Sequence, residues 1–293
     1  MLEIKNEKID LRILNNKKVR NMKSKMNKDL IEKEEMFHDN WADSMDINEI
    51  MVDAFFESAL APENRYILNG LGDLKDKKIL ELGSGAGEAS VYFAKKGADV
   101  TATDLSNGML LVVEKLAKKH ETSLSTKQCS ADVLPFENDS FDVVYAGNLL
   151  HHVDIRSVLV EAYRVLKKDG VFVSWDPLAH NPIINLYRKI AIEVRTDDEH
   201  PIKMKELKTF KEIFGKKNVS RHMTWFFTNY IFIKMFLFEK VDPNKERYWK
   251  RIYTKQNRYE KTYKRLERLD SAFLKCFPFL KRYCWNIVII AKK

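Results

Sequence analysis

Cysteine is scarce in this chain: Cys129, Cys276 and Cys284 are the only three in 293 residues, and no pair has metal-ligand spacing. That count excludes a disulfide scaffold and suits a reducing compartment. Long hydrophobic runs are also missing. A spanning helix needs about 18 or more apolar residues, and the nearest stretch, residues 225–238, is short and interrupted by Asn229 and Lys234. The first residues are polar and charged, without the apolar segment of a signal peptide, so the chain is expected to be cytoplasmic. There is no internal repeat and no recognisable RNA- or DNA-binding motif, which argues against nucleic acid as partner. Hydrophobic residues make up 45% of the chain, enough to bury a core in one large domain or two small ones.

Charge is present in both signs but unevenly placed. The formal net charge is +9. From residue 201 onward there are 24 Lys and Arg against 8 Asp and Glu, whereas residues 1–200 carry 27 against 34. The first two thirds are mildly acidic and the basic surplus lies in the last third, where a substrate or partner is to be sought.

The most informative run spans residues 79–106. Residues 79–82 are a short apolar strand ending in glycine. Gly83, Gly85 and Gly87 then form a turn with little side-chain bulk, so a ligand can approach the backbone. Residues 89–96 carry apolar groups at helical spacing, and residues 100–103 are a second, β-branched strand. Asp104 ends that strand 21 residues after Gly83, where an acid can accept both hydroxyls of a ribose. The glycines fall as G-x-G-x-G, unlike the G-x-G-x-x-G of a pyrophosphate cradle. Glu81 stands two residues before the turn. A carboxylate there would repel a pyrophosphate and attract an ammonium or sulfonium group.

This E-x-G-x-G-x-G run resembles motif I of class I S-adenosylmethionine-dependent methyltransferases, of the methyltransferase type 11 kind with small-molecule acceptors. Residues 129–153 are similar to the next two motifs, and the resemblance covers roughly residues 60–180. It implies an α/β, Rossmann-like seven-stranded sheet, mostly parallel with the last strand antiparallel. N-terminal helices precede the sheet and a helical insertion separates its last two strands. It implies S-adenosyl-L-methionine as cofactor, with Glu81, Gly83, Ser84, Gly85 and Gly87 at the amino-acid portion and sulfonium. Asp104 would then hold the ribose, Leu105, Val133 and Leu134 flank the adenine, and Asp132 take the adenine amino group. Asn148 and His151 lie at the carboxyl end of the fourth strand, where open α/β sheets bind ligands. His151 or His152 is the candidate general base should the acceptor be a hydroxyl. Neighbours on a turn point different ways, so at most one of them is expected in the site.

Residues 1–35 read as a flexible or helical arm, and residues 36–293 as the methyltransferase domain. Within it, residues 36–70 are lid helices. Phe37, His38 and Trp41 share a helical face, and His38 and Trp41 either line a substrate cavity or simply pack. Residues 53–68 read as one helix with Pro62 near a break. Residues 156–166 read as a helix, 167–170 as a basic turn, and 171–175 as a fifth strand. After it come Asp176, His180, Tyr187, Arg195 and His200, which the resemblance places near the methyl acceptor. Asp197, Asp198, Glu199 and His200 have metal-ligand chemistry, but contiguous acids seldom converge on one centre outside a dedicated loop. No metal is expected.

Residues 218–227 and 285–291 read as the last two strands. The insertion between them, residues 228–283, is rich in Lys, Arg, Tyr and Phe. It is a helical cap with aromatics facing the core, a peripheral membrane contact, or a nucleic-acid surface, the apolar residues 230–238 favouring lipid over nucleic acid. The expected activity is methyl transfer to a small, lipid-like acceptor by in-line displacement. The alternatives are a cofactor-binding scaffold without turnover and a nicotinamide-dependent oxidoreductase.

Overall fold

The computed structural model describes residues 28–191, 199–239 and 252–293. Residues 1–27 of the expected arm, Arg195 and residues 240–251 of the insertion lie outside the described residues. Three helices come first: α1 (Lys28–Asp43), α2 (Val52–Glu57) and α3 (Pro62–Leu71). The alternating core follows: β1 (Lys78–Leu82), α4 (Glu88–Lys95), β2 (Asp99–Asp104), α5 (Asn107–Lys119), β3 (Ser125–Gln128), β4 (Phe141–Gly147), α6 (Ile155–Val165) and β5 (Leu166–Pro177). Then come α7 (Pro182–Ile190), α8 (Leu207–Phe214), β6 (Val219–Thr224), α9 (Asn229–Phe238), α10 (Gln256–Cys276) and β7 (Asn286–Lys292).

The sheet order is β3-β2-β1-β4-β5-β7-β6. β1 to β5 pair in parallel, and β7 lies antiparallel between β5 and β6. This is the Rossmann-like sheet that the sequence predicts, including α9 and α10 between the last two strands. Strand order reverses between β1 and β4, so a crevice opens at their carboxyl ends, the usual ligand site of such sheets.

Strand alternation builds the two core layers. Leu80, Leu82, Val144, Phe172, Ile287 and Ile289 face α6 and α8. Ile79, Val143, Val173 and Val288 face α2 to α5. Burying a side chain of this size stabilises by about 1.5–3 kcal/mol each, so these layers hold the sheet. Glu81 sits on the α4 face among them, and is buried. A third cluster, including Leu60, Ile184, Trp225, Phe232, Tyr259 and Tyr263, joins α7, α9 and α10 into a cap. Asp270 of α10 accepts the backbone N–H of Phe227 at 2.6 Å and the Thr228 hydroxyl at 2.8 Å, which ties the cap to the start of α9. Arg65 of α3 pairs with Glu267 of α10 at 2.7 Å.

Three local expectations shift. Residues 53–68 form two helices, because Pro62 has no N–H to donate and starts α3 as its first residue. α1 begins at Lys28 and runs through the 35/36 boundary. Residues 166–170 belong to β5 rather than to a free turn. Leu166 pairs with Phe141, the register shifts, and Val171 pairs with Val143, with Asp169 left-handed at φ 65° between them.

Candidate active site

The glycine turn is held by its neighbours. Ser84 donates its backbone N–H to the Thr103 carbonyl at 2.8 Å, and Gly85 donates to Asp104 Oδ2 at 2.9 Å. Asp104 Oδ1 accepts the N–H of Ser106 at 3.0 Å. Gly85 and Gly87 both have positive φ, but for different neighbours. A Cβ on Gly85 would meet nothing within 4 Å, so its backbone faces open space. A Cβ on Gly87 would sit 2.9 Å from Val113 of α5, so Gly87 lets two helices approach and does not face the cavity.

Two buried carboxyls stand beside this turn. Glu81 accepts the Ser90 hydroxyl of α4. Burial raises its pKa to about 8, opposed by Ser90 and assisted by the charges of Glu88 and Asp104. Burial also raises that of Asp104, against the N–H groups of Ser106 and Gly85. Two acids held in low dielectric near each other are stabilised by a cation in the space between them. The ammonium and sulfonium of S-adenosylmethionine are such cations, so the donor set fits that cofactor.

α1 closes one side. Asp39 Oδ1 accepts the Ser106 hydroxyl at 2.5 Å and the Gly108 N–H at 3.0 Å. Ser106 in turn caps α5 by accepting the N–H of Met109 at 3.0 Å. The helix carrying Glu34, Phe37, His38 and Trp41 is thereby fixed to the loop after Asp104, and those four side chains line the cavity. His38 pairs with Glu34 at 3.4 Å.

The end of β4 supplies a second polar group. Asn148 has φ 57°, tolerable for asparagine, and donates its N–H to the Trp175 carbonyl at 2.7 Å. The short 3-10 turn that follows, Leu150–His152, presents the two histidines. His151 Nδ1 lies 2.9 Å from Asp176 Oδ1, and that oxygen also accepts the His151 N–H at 3.2 Å. Burial pushes the Asp176 carboxyl well above the usual carboxylate range, opposed by the His151 and Leu150 N–H groups. His152 is lowered to about 3 by burial and by His151, and is neutral at physiological pH. Arg188 of α7 pairs with Glu199 at 3.2 Å, each about one tenth exposed.

One cavity of about 370 Å³ joins these groups. One end is walled by Glu81, Gly83, Ser84, Gly85, Asp104, Leu105 and Ser130. Its other walls are largely aromatic, with Phe55, Tyr145, Trp175, Trp225, Tyr253 and Trp285. Tyr145 accepts from the Trp175 indole at 3.0 Å and donates to Asn64 at 3.2 Å. Glu63 sits in this wall, accepting from Thr224 and from Asn286 at 2.9 Å. Burial raises its pKa. Among the described residues, the lining side chains include Arg188 and the acids Glu34, Glu63, Glu81, Glu88, Asp104 and Glu199.

The structure thus brings Glu81, Gly83, Ser84, Gly85, Asp104, Leu105, Asn148, His151, His152, His38, Trp41 and Tyr187 to one cavity. It places others outside the lining. Asp132 lies behind it, accepting the hydroxyl of the lining Ser130 at 2.5 Å. Val133 is 69% exposed and Leu134 is in the core against α6. Asp176 stands behind His151 rather than in the wall. His180 and His200 are on the exposed side of their loops, His200 giving its N–H to the His151 carbonyl at 2.7 Å. Sequence reasoning passed over Asp39, Glu63, Trp175, Arg188 and Trp285. Their only signal was proximity to the strands and loops that end at the crevice.

Residues 80–174 match the family model described as a methyltransferase domain. An uncharacterised methyltransferase of Bacillus subtilis, YcgJ, is 31% identical over 113 residues, covering 38% of this chain and 45% of that protein. A ubiquinone/menaquinone biosynthesis C-methyltransferase of Desulfotalea psychrophila is 34% identical over 137 residues, covering 44% of this chain and 54% of that protein. The chain spans about half the length of the curated relatives it matches. The crystal structure of YcgJ superposes with a TM-score of 0.50 at 17% identity, covering 80% of this chain and 97% of that one, which is a likeness of fold.

Proposed function

We propose, from the premise that residues 80–174 carry a class I S-adenosylmethionine-dependent methyltransferase domain, that the chain methylates a largely apolar, lipid-like small molecule. The observation that carries this reading is the pair of buried carboxyls, Glu81 and Asp104, at one end of a cavity lined elsewhere by Phe55, Tyr145, Trp175, Trp225, Tyr253 and Trp285 among its polar groups. Bound at the glycine turn, S-adenosylmethionine would supply an activated methyl group. Glu81 would face its cationic portion and Asp104 its ribose. The aromatic walls would hold a flat or hydrocarbon acceptor and keep water out during transfer. The relatives include a ubiquinone/menaquinone biosynthesis C-methyltransferase and a ubiquinone biosynthesis O-methyltransferase, which supports a small-molecule acceptor. For a hydroxyl acceptor, His151 takes the proton at Nε2, since Asp176 holds Nδ1 and sets the tautomer.

Calorimetric titration with S-adenosylmethionine, S-adenosylhomocysteine and NADH tests the reading. The two adenosyl ligands bind at micromolar levels and NADH does not. Glu81 is held protonated up to about pH 8, and a bound cation favours its ionised form. S-adenosylmethionine binding at pH 7 therefore releases protons, and its affinity rises as pH approaches 8. Titrations in buffers of different ionisation enthalpy read that release. Binding of NADH alone would make the oxidoreductase alternative the working model. Tight cofactor binding with no transfer to any acceptor tested would support a scaffold.

A second contact belongs to this proposal. Leu269, Phe277, Phe279 and Tyr283 are exposed at the end of α10 and in the turn after it, beside Lys275, Lys281 and Arg282. Aromatic side chains among basic ones suit an anionic membrane surface, where a lipid-like acceptor would be found. The chain is expected to sediment with anionic vesicles at low salt and to leave them at high salt. No sedimentation at low salt removes this contact.

A further inference from the structure

We propose that His151, His152 and Glu199 form a binding site for one first-row divalent transition ion, such as Zn²⁺, in the wall of the acceptor cavity. One ligand atom from each of the three side chains lies within 4.8 Å of the other two. All three residues line the same cavity as the glycine turn and Asp104. The grouping comes from two distant parts of the chain. The histidines are on the turn after β4, and Glu199 is on the segment between α7 and α8. The backbone bond from His200 to the His151 carbonyl, at 2.7 Å, brings that segment onto the histidine turn.

The chemistry around the three is that of a built site. Ligating histidines usually give their other ring nitrogen to a carboxylate, which fixes the ring and raises its basicity. His151 has this arrangement, with Nδ1 2.9 Å from the buried Asp176. Nε2 is therefore its ligand atom. Ligating carboxylates are in turn held by hydrogen bonds, and Glu199 is held by Arg188 at 3.2 Å. Two imidazoles with one carboxylate select zinc, manganese, iron or cobalt over magnesium or calcium, which take oxygen ligands. Ligand atoms around zinc at about 2.0–2.2 Å stand roughly 3.4 Å apart. Ion uptake therefore draws the three side chains together by about an ångström, exchanging their present contacts for the ion.

Three protein ligands leave a further position open, as in catalytic rather than structural zinc sites. That position opens toward the cavity, where an acceptor hydroxyl or carbonyl oxygen would bind. A hydroxyl held by the ion loses its proton to solvent near neutral pH. Its oxygen then forms the bond to the methyl carbon as the carbon–sulfur bond breaks, leaving the ether and S-adenosylhomocysteine. Nε2 of His151 is then a ligand, and acidification at the ion replaces its role as base. This use of the ion rests on the methyl-transfer reading; binding of the ion does not.

The test uses the full chain stripped with EDTA and titrated with Zn²⁺, with Mg²⁺ as control and Co²⁺ for its visible spectrum. The expected result is one equivalent of zinc, no competition by millimolar magnesium, and a cobalt spectrum of nitrogen and oxygen ligation. Glu199→Gln and His152→Ala are each expected to abolish stoichiometric binding, and Asp176→Asn to weaken it about 10- to 100-fold. Thermal unfolding of each variant without metal shows that the fold survives. Zinc uptake that persists unchanged in both ligand variants overturns the site, as does the lack of one tight equivalent. A stripped chain that binds S-adenosylmethionine but takes up no zinc overturns the ion site and leaves the methyl-transfer reading standing. One that takes up zinc but no S-adenosylmethionine does the reverse.

Discussion

Asp104→Ala is expected to weaken S-adenosylmethionine binding by roughly 2–4 kcal/mol, about 30- to 1,000-fold in Kd. Two losses combine. A carboxylate placed for the ribose hydroxyls is removed, with the charge-assisted bonds it would make. The turn also loses the oxygens that hold Gly85 and Ser106 at 2.9 and 3.0 Å. Asp104→Asn separates these effects, because the amide oxygen can still accept one N–H while the charge is gone. Calorimetry reads the affinity, and thermal unfolding shows whether the turn has loosened. If the alanine variant binds the cofactor as the parent does, Asp104 is not the ribose group, and the crevice holds its ligand in another pose.

His151→Ala is expected to lower kcat about 10²- to 10⁴-fold, the usual range for removing a positioned general base, with cofactor affinity much less affected. The imidazole is 3% exposed and its orientation is set by Asp176. Asp176→Asn is the companion measurement. It keeps the shape while removing the carboxyl's charge from beside Nδ1, so kcat is expected to fall and the pH profile of the rate to move. Single-turnover rates after mixing with saturating cofactor check both. A His151→Ala enzyme with unchanged kcat would mean an acceptor that needs no base, such as an activated carbon.

Much of the architecture was legible because burial writes itself into short apolar runs. β1 and β7, buried along most of their length, stand out as Ile-Leu and Ile-Val stretches. The crevice followed from strand order alone, and Glu81, Gly85 and Asp104 all converge on it. β3 is different. Ser-Thr-Lys-Gln at an exposed sheet edge has no apolar signature, and the strand is placed only by its pairing with β2. The far walls of the cavity were not legible for a related reason. Trp225, Tyr253 and Trp285 are ordinary core-type aromatics in sequence, and only the antiparallel return of β7 sets Trp285 5.7 Å from Trp225. Likewise nothing in the order of residues shows that Asp176 stands behind His151 instead of facing the cavity. That follows from β5 lying beside β4. Arg188 and Glu199 pair across a segment whose intervening residues offer no periodic signal.

The contact between Asp39 and the start of α5 has a kinetic meaning. One carboxylate accepts both the Ser106 hydroxyl and the Gly108 N–H, and Ser106 is two residues from the acid assigned to the ribose. α1 therefore cannot swing away without breaking both bonds and leaving the Gly108 N–H in the first turn of α5 without this acceptor, although Ser106 keeps its bond to Met109. Each charge-assisted bond broken costs about 1.5–3 kcal/mol. Were S-adenosylmethionine to exchange through an opening of α1, that exchange would have to break both bonds, and it would be the slow step whenever the chemistry is faster.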